Sequence, residues 1–165
     1  MKRRPADNHL TGDEWDVQGQ MLLVRTGGLC EGRTPACIAP DGLVLGMPRE
    51  QVEIQHRRAQ GMGGTALVEA NNLANLLLLC ARCHRWVESR PSPPDDGADL
   101  ARRRGLWVGH DYRDGVPVPV EEYPLVLASG RMVLLDPVVP EYRRHPSEWS
   151  GEWSQLVPYP GYGYS

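Results

Sequence analysis

The sequence predicts an α+β fold: a small domain of short helices and strands organised around four cysteines. Three observations carry this. The cysteines fall as a C-x6-C pair (Cys30, Cys37) and a C-x2-C pair (Cys80, Cys83), with 42 residues between the pairs. A T-x-x-E box from Thr11 to Glu14 opens a helical stretch that meets Gly27-Gly28. Beyond it, short apolar runs alternate with turns; 18 Gly and 15 Pro in 165 residues favour short strands and loops over long helices.

The elements follow in chain order. A helix is expected from about Asp13 to Arg25, with Trp15, Met21 and Leu22 supplying apolar contacts. The hexapeptide between Cys30 and Cys37 holds Gly and Pro and reads as a loop. Leu43–Leu45 and Val52–His56 read as short strands, and Gly61–Gly64 as a flexible loop. Asn75 to Leu79 is an apolar turn or strand leading into Cys80, and a short helix is expected from Cys83 to about Ser89. Pro91 to Gly97, rich in proline, ends it. Ala98 to Arg104 suits another short helix and Leu106–Val108 a strand. Ser129-Gly130, between Tyr123–Ala128 and Arg131–Leu135, signals a hairpin. From Pro146 to Ser165 the chain is rich in Trp, Tyr, Gly and Pro without period and reads as extended.

Charge and hydropathy exclude several classes. No apolar run approaches the roughly 18 residues that span a bilayer. The N-terminus has basic residues but no apolar core, so no secretory signal is expected; a cytoplasmic location and no membrane association follow as expectations. The net charge of −3 argues against a polybasic nucleic-acid coat. Its distribution is uneven: residues 52 to 90 carry five arginines against three acidic side chains, whereas both flanks are acidic. Only Lys2 is a lysine; the other 17 basic residues are arginines, whose planar fork suits phosphate.

A C-x2-C turn places two thiolates toward one tetrahedral centre, and Zn²⁺ takes four such ligands at about 2.3 Å. A second cysteine pair closes the site and ties distant chain segments together, which in a loop-rich domain supplies folding free energy. Zinc is the expected structural cofactor in a reducing compartment. Two disulfides, or a redox pair at Cys80-Ala81-Arg82-Cys83, are the alternatives. His84 follows Cys83 directly, His56 ends an apolar strand ahead of Arg57-Arg58, and Asn75 lies five residues before Cys80.

Gln55 to Gly64 (QHRRAQGMGG) and Asn75 to Ser89 (NLLLLCARCHRWVES) resemble the HNH endonucleases, members of the ββα-metal or His-Me finger nucleases, and most of all their small zinc-stapled phage and bacterial forms. The resemblance implies a ββα-metal core over residues 27–90, preceded by an N-terminal helix region (1–26) and followed by a strand-rich extension (91–145) and an aromatic tail (146–165). It implies His56 as general base, Asn75 as the brace of the loop carrying that base, and His84 as a ligand of a catalytic Mg²⁺ or Mn²⁺. Cys30, Cys37, Cys80 and Cys83 become the structural zinc site. One position departs: the residue before the base is usually Asp or His and binds the catalytic metal, and here it is Gln55, whose neutral amide is a poorer ligand for Mg²⁺. Glu53, two residues earlier, assists only if the strand twists.

Phosphodiester hydrolysis needs a base for water, charge neutralisation at phosphorus and a stabilised leaving oxygen. A neutral imidazole, with a pKa of about 6.5, suits the first at cellular pH, and a divalent ion the other two. Arg57, Arg58, Arg82 and Arg85 are the candidate contacts to backbone phosphates. The expectation is therefore a DNA endonuclease leaving 5′-phosphate and 3′-hydroxyl ends. The acidic flanks imply restrained, salt-dependent DNA affinity, and with it a recruiting partner. Trp149, Trp153, Tyr159, Tyr162 and Tyr164 are its candidate contacts, and the resemblance points to phage packaging proteins. The rivals are a non-catalytic zinc module that binds nucleic acid or protein, and a thiol redox protein.

Overall fold

The computed structural model describes residues 12–58, 70–89 and 97–144. The Thr11 capping box, the Gly61–Gly64 loop and the aromatic tail lie outside the described residues. Helix α1 spans Gly12–Thr26. It stops where expected: Gly27 and Gly28 take φ of 63° and 82°, the left-handed region open to glycine. The Gly28 amide then closes the helix end onto Leu23 O at 3.1 Å.

The next stretch folds back on itself around the first cysteine pair. Leu43–Leu45, expected as a strand, makes only a single bridge, Leu29 to Leu43. A 3-10 turn at Pro40–Gly42 ends just before it and Gly46 turns the chain just after, so no ladder can extend. Strand β1 (Val52–His56) then pairs antiparallel with β2 (Leu76–Cys80), in continuous register from Val52 opposite Cys80 to His56 opposite Leu76. Helix α2 (Ala81–Ser89) starts directly after Cys80.

All five residues of β2 are buried. That is why Leu76 to Leu79 form an unbroken apolar run rather than an alternating one: α1 and α2 both pack against the strand. After β1 the chain stays tied to the segment before β2, because Arg57 N–H donates to Asn75 O at 2.8 Å.

Helix α3 spans Gly97–Arg103. Leu106–Val108, expected as a strand, instead closes this helix. Leu106 and Trp107 amides both point back to Ala101 O, and Val108 N–H donates to Arg57 O. The remaining strands are short: β3 (Tyr112–Arg113) with β4 (Val116–Pro117), then a three-stranded antiparallel sheet of β5 (Leu125–Val126), β6 (Met132–Leu135) and β7 (Tyr142–Arg144). The expected hairpin is the β5–β6 pair. One apolar core runs through all of this, from Leu22 through Leu76–Leu79 and Val87 to Leu106, Leu125 and Val133. No helix among the described residues is long and apolar enough to cross a membrane.

Four arginines are buried in this frame: Arg25, Arg57, Arg58 and Arg104. Arg25 forms a two-pronged ion pair with Glu31 at 3.0 and 2.8 Å and donates to Leu73 O and Leu76 O. Glu31 also accepts from the Leu78 amide and from the Tyr142 hydroxyl. This single carboxylate therefore joins α1, the cysteine loop, β2 and β7. Burial and the Glu31 charge keep the Tyr142 phenol well above its usual pKa.

Candidate functional site

The two cysteine pairs meet. Their four sulfurs lie within 4.8 Å of one another, and all four cysteines are free thiols rather than disulfides. Cys37 and Cys80 sulfurs are 3.8 Å apart, and a tetrahedron with Zn–S bonds of about 2.3 Å has an edge of about 3.8 Å. Peptide amides already point at the sulfurs: Cys80 N–H at Cys30 Sγ (3.3 Å), Cys83 N–H at Cys80 Sγ (3.5 Å) and Thr34 N–H at Cys83 Sγ (3.3 Å). Thr34 adds its hydroxyl to Cys83 at 3.2 Å. Such donors stabilise thiolates. The crowded sulfurs divide their protons unequally. Hydrogen bonding from Cys30 pulls Cys37 down to about 7 and Cys80 further, while Cys30 and Cys83 are pushed up by their thiol neighbours. The cluster could hold a metal ion such as zinc, and a tetrahedral sulfur set is the donor chemistry that ion prefers.

The same C-x2-C turn starts α2 and so fixes His84 over the β1–β2 pair. His84 Nδ1 lies 2.7 Å from Glu53 Oε2 on β1, and its Nε2 lies 3.6 Å from Glu88 Oε1, one turn along the helix. Glu53 reaches His84 from a strand in regular register. The expected twist is not required, because strand residues two apart share a face.

His56 closes β1. Its Nε2 lies 3.0 Å from Asn71 Oδ1, and the Trp15 indole of α1 meets its ring edge-on at 5.8 Å between centroids. Burial lowers its pKa; the Asn71 contact opposes this and the neighbouring His84 adds to it. The imidazole is therefore neutral at neutral pH, as a proton acceptor must be.

Asn75 is buried, and its side chain ties Arg58 to Ala70. Its Oδ1 accepts from the Arg58 amide at 2.8 Å, and its Nδ2 donates to Ala70 O at 2.8 Å and to Arg58 O at 3.4 Å. Gln55 is buried too. Its Nε2 donates to His56 O at 2.7 Å, and its Oε1 has no hydrogen-bond partner among the described residues.

The arginines divide. Arg57, expected on phosphate, is fully buried. Its guanidinium donates to Gly105 O (2.7 Å), Ala74 O (3.0 Å), Tyr123 O (2.8 Å) and Pro124 O (3.2 Å). Arg58, expected beside it, is 4% exposed, donates to Gly109 O and Val118 O and lies over the Tyr123 ring. Both are corrected to structural residues: loop carbonyls without ladder partners claim their donors. Arg82 and Arg85 are exposed on α2, three residues apart and so on neighbouring turns of one face.

Two residues of this site were not singled out for function in the sequence. Asn71 and Trp15 carry no local signal, since each meets His56 across a long stretch of chain. The strand alternation of Glu53 with Gln55, both set against a helix carrying His84, was readable. No protein-family model matches the chain, and no curated protein or solved structure shows significant similarity to it.

Proposed function

We propose that the protein is a metal-dependent DNA endonuclease of the HNH type, stapled by a structural zinc ion at Cys30, Cys37, Cys80 and Cys83. The observation that carries this reading is one arrangement. His56 ends a strand, Asn75 clasps the chain directly after it, and His84 stands on the helix that follows the partner strand.

In this reading His56 accepts the proton of the attacking water. The water oxygen bonds to phosphorus, the P–O3′ bond breaks, and the 3′ oxygen leaves and is protonated by solvent. Trp15 and Asn71 orient the imidazole, and its burial keeps it neutral. Asn75 holds the segment behind the base in place. His84 would hold a divalent ion, Mg²⁺ or Mn²⁺, which when bound neutralises charge on the phosphoryl and leaving oxygens. Arg82 and Arg85 are the arginines of the original set left to grip phosphate. A chain with net charge −3 and so few of these free binds DNA weakly, so a recruiting protein, in the resemblance a phage packaging component, belongs to the same reading.

A plasmid-nicking assay on zinc-loaded protein with Mg²⁺, Mn²⁺ or EDTA tests it. Wild type should nick with metal and not with EDTA, and His56→Ala should not nick. Equal nicking by both proteins sinks the proposal. The second reading is a non-catalytic zinc module that binds nucleic acid. It is favoured by Gln55, an amide where the resemblance expects a metal-binding side chain, and it predicts DNA binding without cleavage in every variant.

A further inference from the structure

We infer that Cys37 is a site of oxidative modification: a peroxide enters the four-cysteine cluster at this sulfur, joins it to Cys80 and opens the metal site. The modification itself needs only the cluster. Its consequence for cleavage rests on the nuclease reading.

Access separates the four sulfurs. Cys30 is 1% exposed and Cys80 and Cys83 are 0%, so no oxidant reaches them directly. Gly32 closes on Cys83 so tightly that an added Cβ would lie 3.5 Å from its sulfur. Cys37, by contrast, is only partly buried. It sits at the end of the C-x6-C loop between two exposed residues, Pro35 and Ile38. Oxidation of a cysteine follows its exposure, so Cys37 reacts first.

Distance supplies the second sulfur. Cys37 and Cys80 sulfurs are 3.8 Å apart, and a disulfide shortens such a separation to about 2.05 Å. The Cys37 thiolate attacks one peroxide oxygen, the O–O bond breaks, and the other oxygen leaves as hydroxide. Cys37 is then a sulfenic acid. The Cys80 thiolate attacks the Cys37 sulfur, the S–OH bond breaks, and a second hydroxide leaves. Two thiolates have given up two electrons and the peroxide has taken them. Cys30 and Cys83 remain, half of the donor set that a structural zinc site requires.

The fold carries this change to His84. Cys80 ends β2, and its sulfur receives the Cys83 amide at the start of α2. Drawing that sulfur toward Cys37 loosens the turn that sets His84 against Glu53. Oxidation therefore removes the metal and the placement of His84 together, and a dithiol reductant with zinc restores both.

The test is hydrogen peroxide added to zinc-loaded protein. Zinc release is followed with a chromogenic chelator, and disulfides are mapped by peptide mass spectrometry. Wild type should release its zinc as two thiols disappear, with Cys37–Cys80 the first linkage. Dithiothreitol with added zinc should reverse the change. Cys37→His keeps four ligands, since three cysteines and a histidine are a common zinc set. It should hold its zinc through an exposure that empties wild type. Release from Cys37→His at the wild-type rate overturns the assignment. So does a first disulfide other than Cys37–Cys80, or zinc kept by wild type under peroxide that oxidises glutathione. Should Cys37→His fail to fold, the first linkage mapped in wild type decides. Zinc release and the mapped disulfide are read without cleavage, which keeps the two proposals apart. A protein that never nicks DNA but oxidises this way keeps the site and removes the nuclease. A protein that nicks with and without peroxide, its zinc retained, keeps the nuclease and removes the site.

Discussion

Replacing Arg57 by Met separates the two roles an arginine beside His56 can have. Met keeps most of the apolar stem and removes the guanidinium, whose donors reach the carbonyls of Gly105, Ala74 and Tyr123 at 3.0 Å or less. Each buried carbonyl left without a donor costs about 1–3 kcal/mol. Removing the guanidinium also removes its own desolvation cost, which is large enough to pull its pKa down to about 9. The low end of the range is therefore the fair one, about 3 kcal/mol for the three together. In a chain of this size each kcal/mol moves the melting temperature by about 2–4 °C, so Arg57→Met should melt roughly 6–12 °C below wild type. Arg82→Met, on the exposed face of α2, should stay within about 0.5 kcal/mol of wild type. Thermal melts of zinc-loaded proteins followed by circular dichroism measure both. A variant that melts within about 2 °C of wild type, a loss below 1 kcal/mol, yet binds DNA more weakly would refute the structural role and return Arg57 to the phosphates.

Other perturbations follow from the same contacts. Gly105→Ala should be severely destabilising in urea denaturation: the residue has φ of +68°, and an added Cβ would collide with Pro124 O and sit 2.9 Å from Arg57 Nη2. The left-handed backbone alone costs about 1–3 kcal/mol without glycine. Chelation should unfold the protein, since structural zinc contributes about 10–16 kcal/mol against a usual net stability of about 5–15 kcal/mol; metal analysis should give one zinc per chain, lost in Cys83→Ser. Asp136 carries an acid-sensitive contribution. Burial alone would raise its pKa, but the Val139 and Val138 amides and Arg143 hold it below the usual value. That stability is present above the unfolded pKa of about 3.9 and is lost as pH falls through the lowered folded one. Acid titrations of Asp136→Asn should lack this component. Arg82→Ala and Arg85→Ala should each lower DNA affinity and reduce the salt slope by about 1, with stability unchanged.

What was legible in the sequence was mainly what depends on near neighbours. Helix α1 lies within a residue of its expected bounds because Gly27-Gly28 ends it locally. The pairing of cysteines 42 residues apart was legible because a C-x2-C knuckle turns two sulfurs toward one tetrahedral centre that a second pair completes. The fates of Leu43–Leu45 and Leu106–Val108 were not, since a strand needs a partner ladder and these segments were claimed by a glycine-bounded turn and by a helix end. Arg57 was the hardest case. Its acceptors lie 17, 48, 66 and 67 residues away, and nothing beside it in the chain announces them.

Four of the 17 arginines therefore answer a physical need different from the one their chemistry first suggests. A chain rich in Gly and Pro makes few ladders, so many carbonyls enter the interior without partners. Arginine is the side chain that can serve several at once, with five donors in a fixed fork. Lysine, a point charge, reaches fewer, and the chain has one of them against 17 arginines. Arg25, Arg57, Arg58 and Arg104 all act this way, and each donates to at least one backbone carbonyl. The basic segment around His56 is thus in part a scaffold that sets His56 at the end of its strand. The proposal of phosphodiester chemistry then stands on the placement of His56, Asn75 and His84, and within that segment the described arginines left exposed are Arg82 and Arg85 on α2.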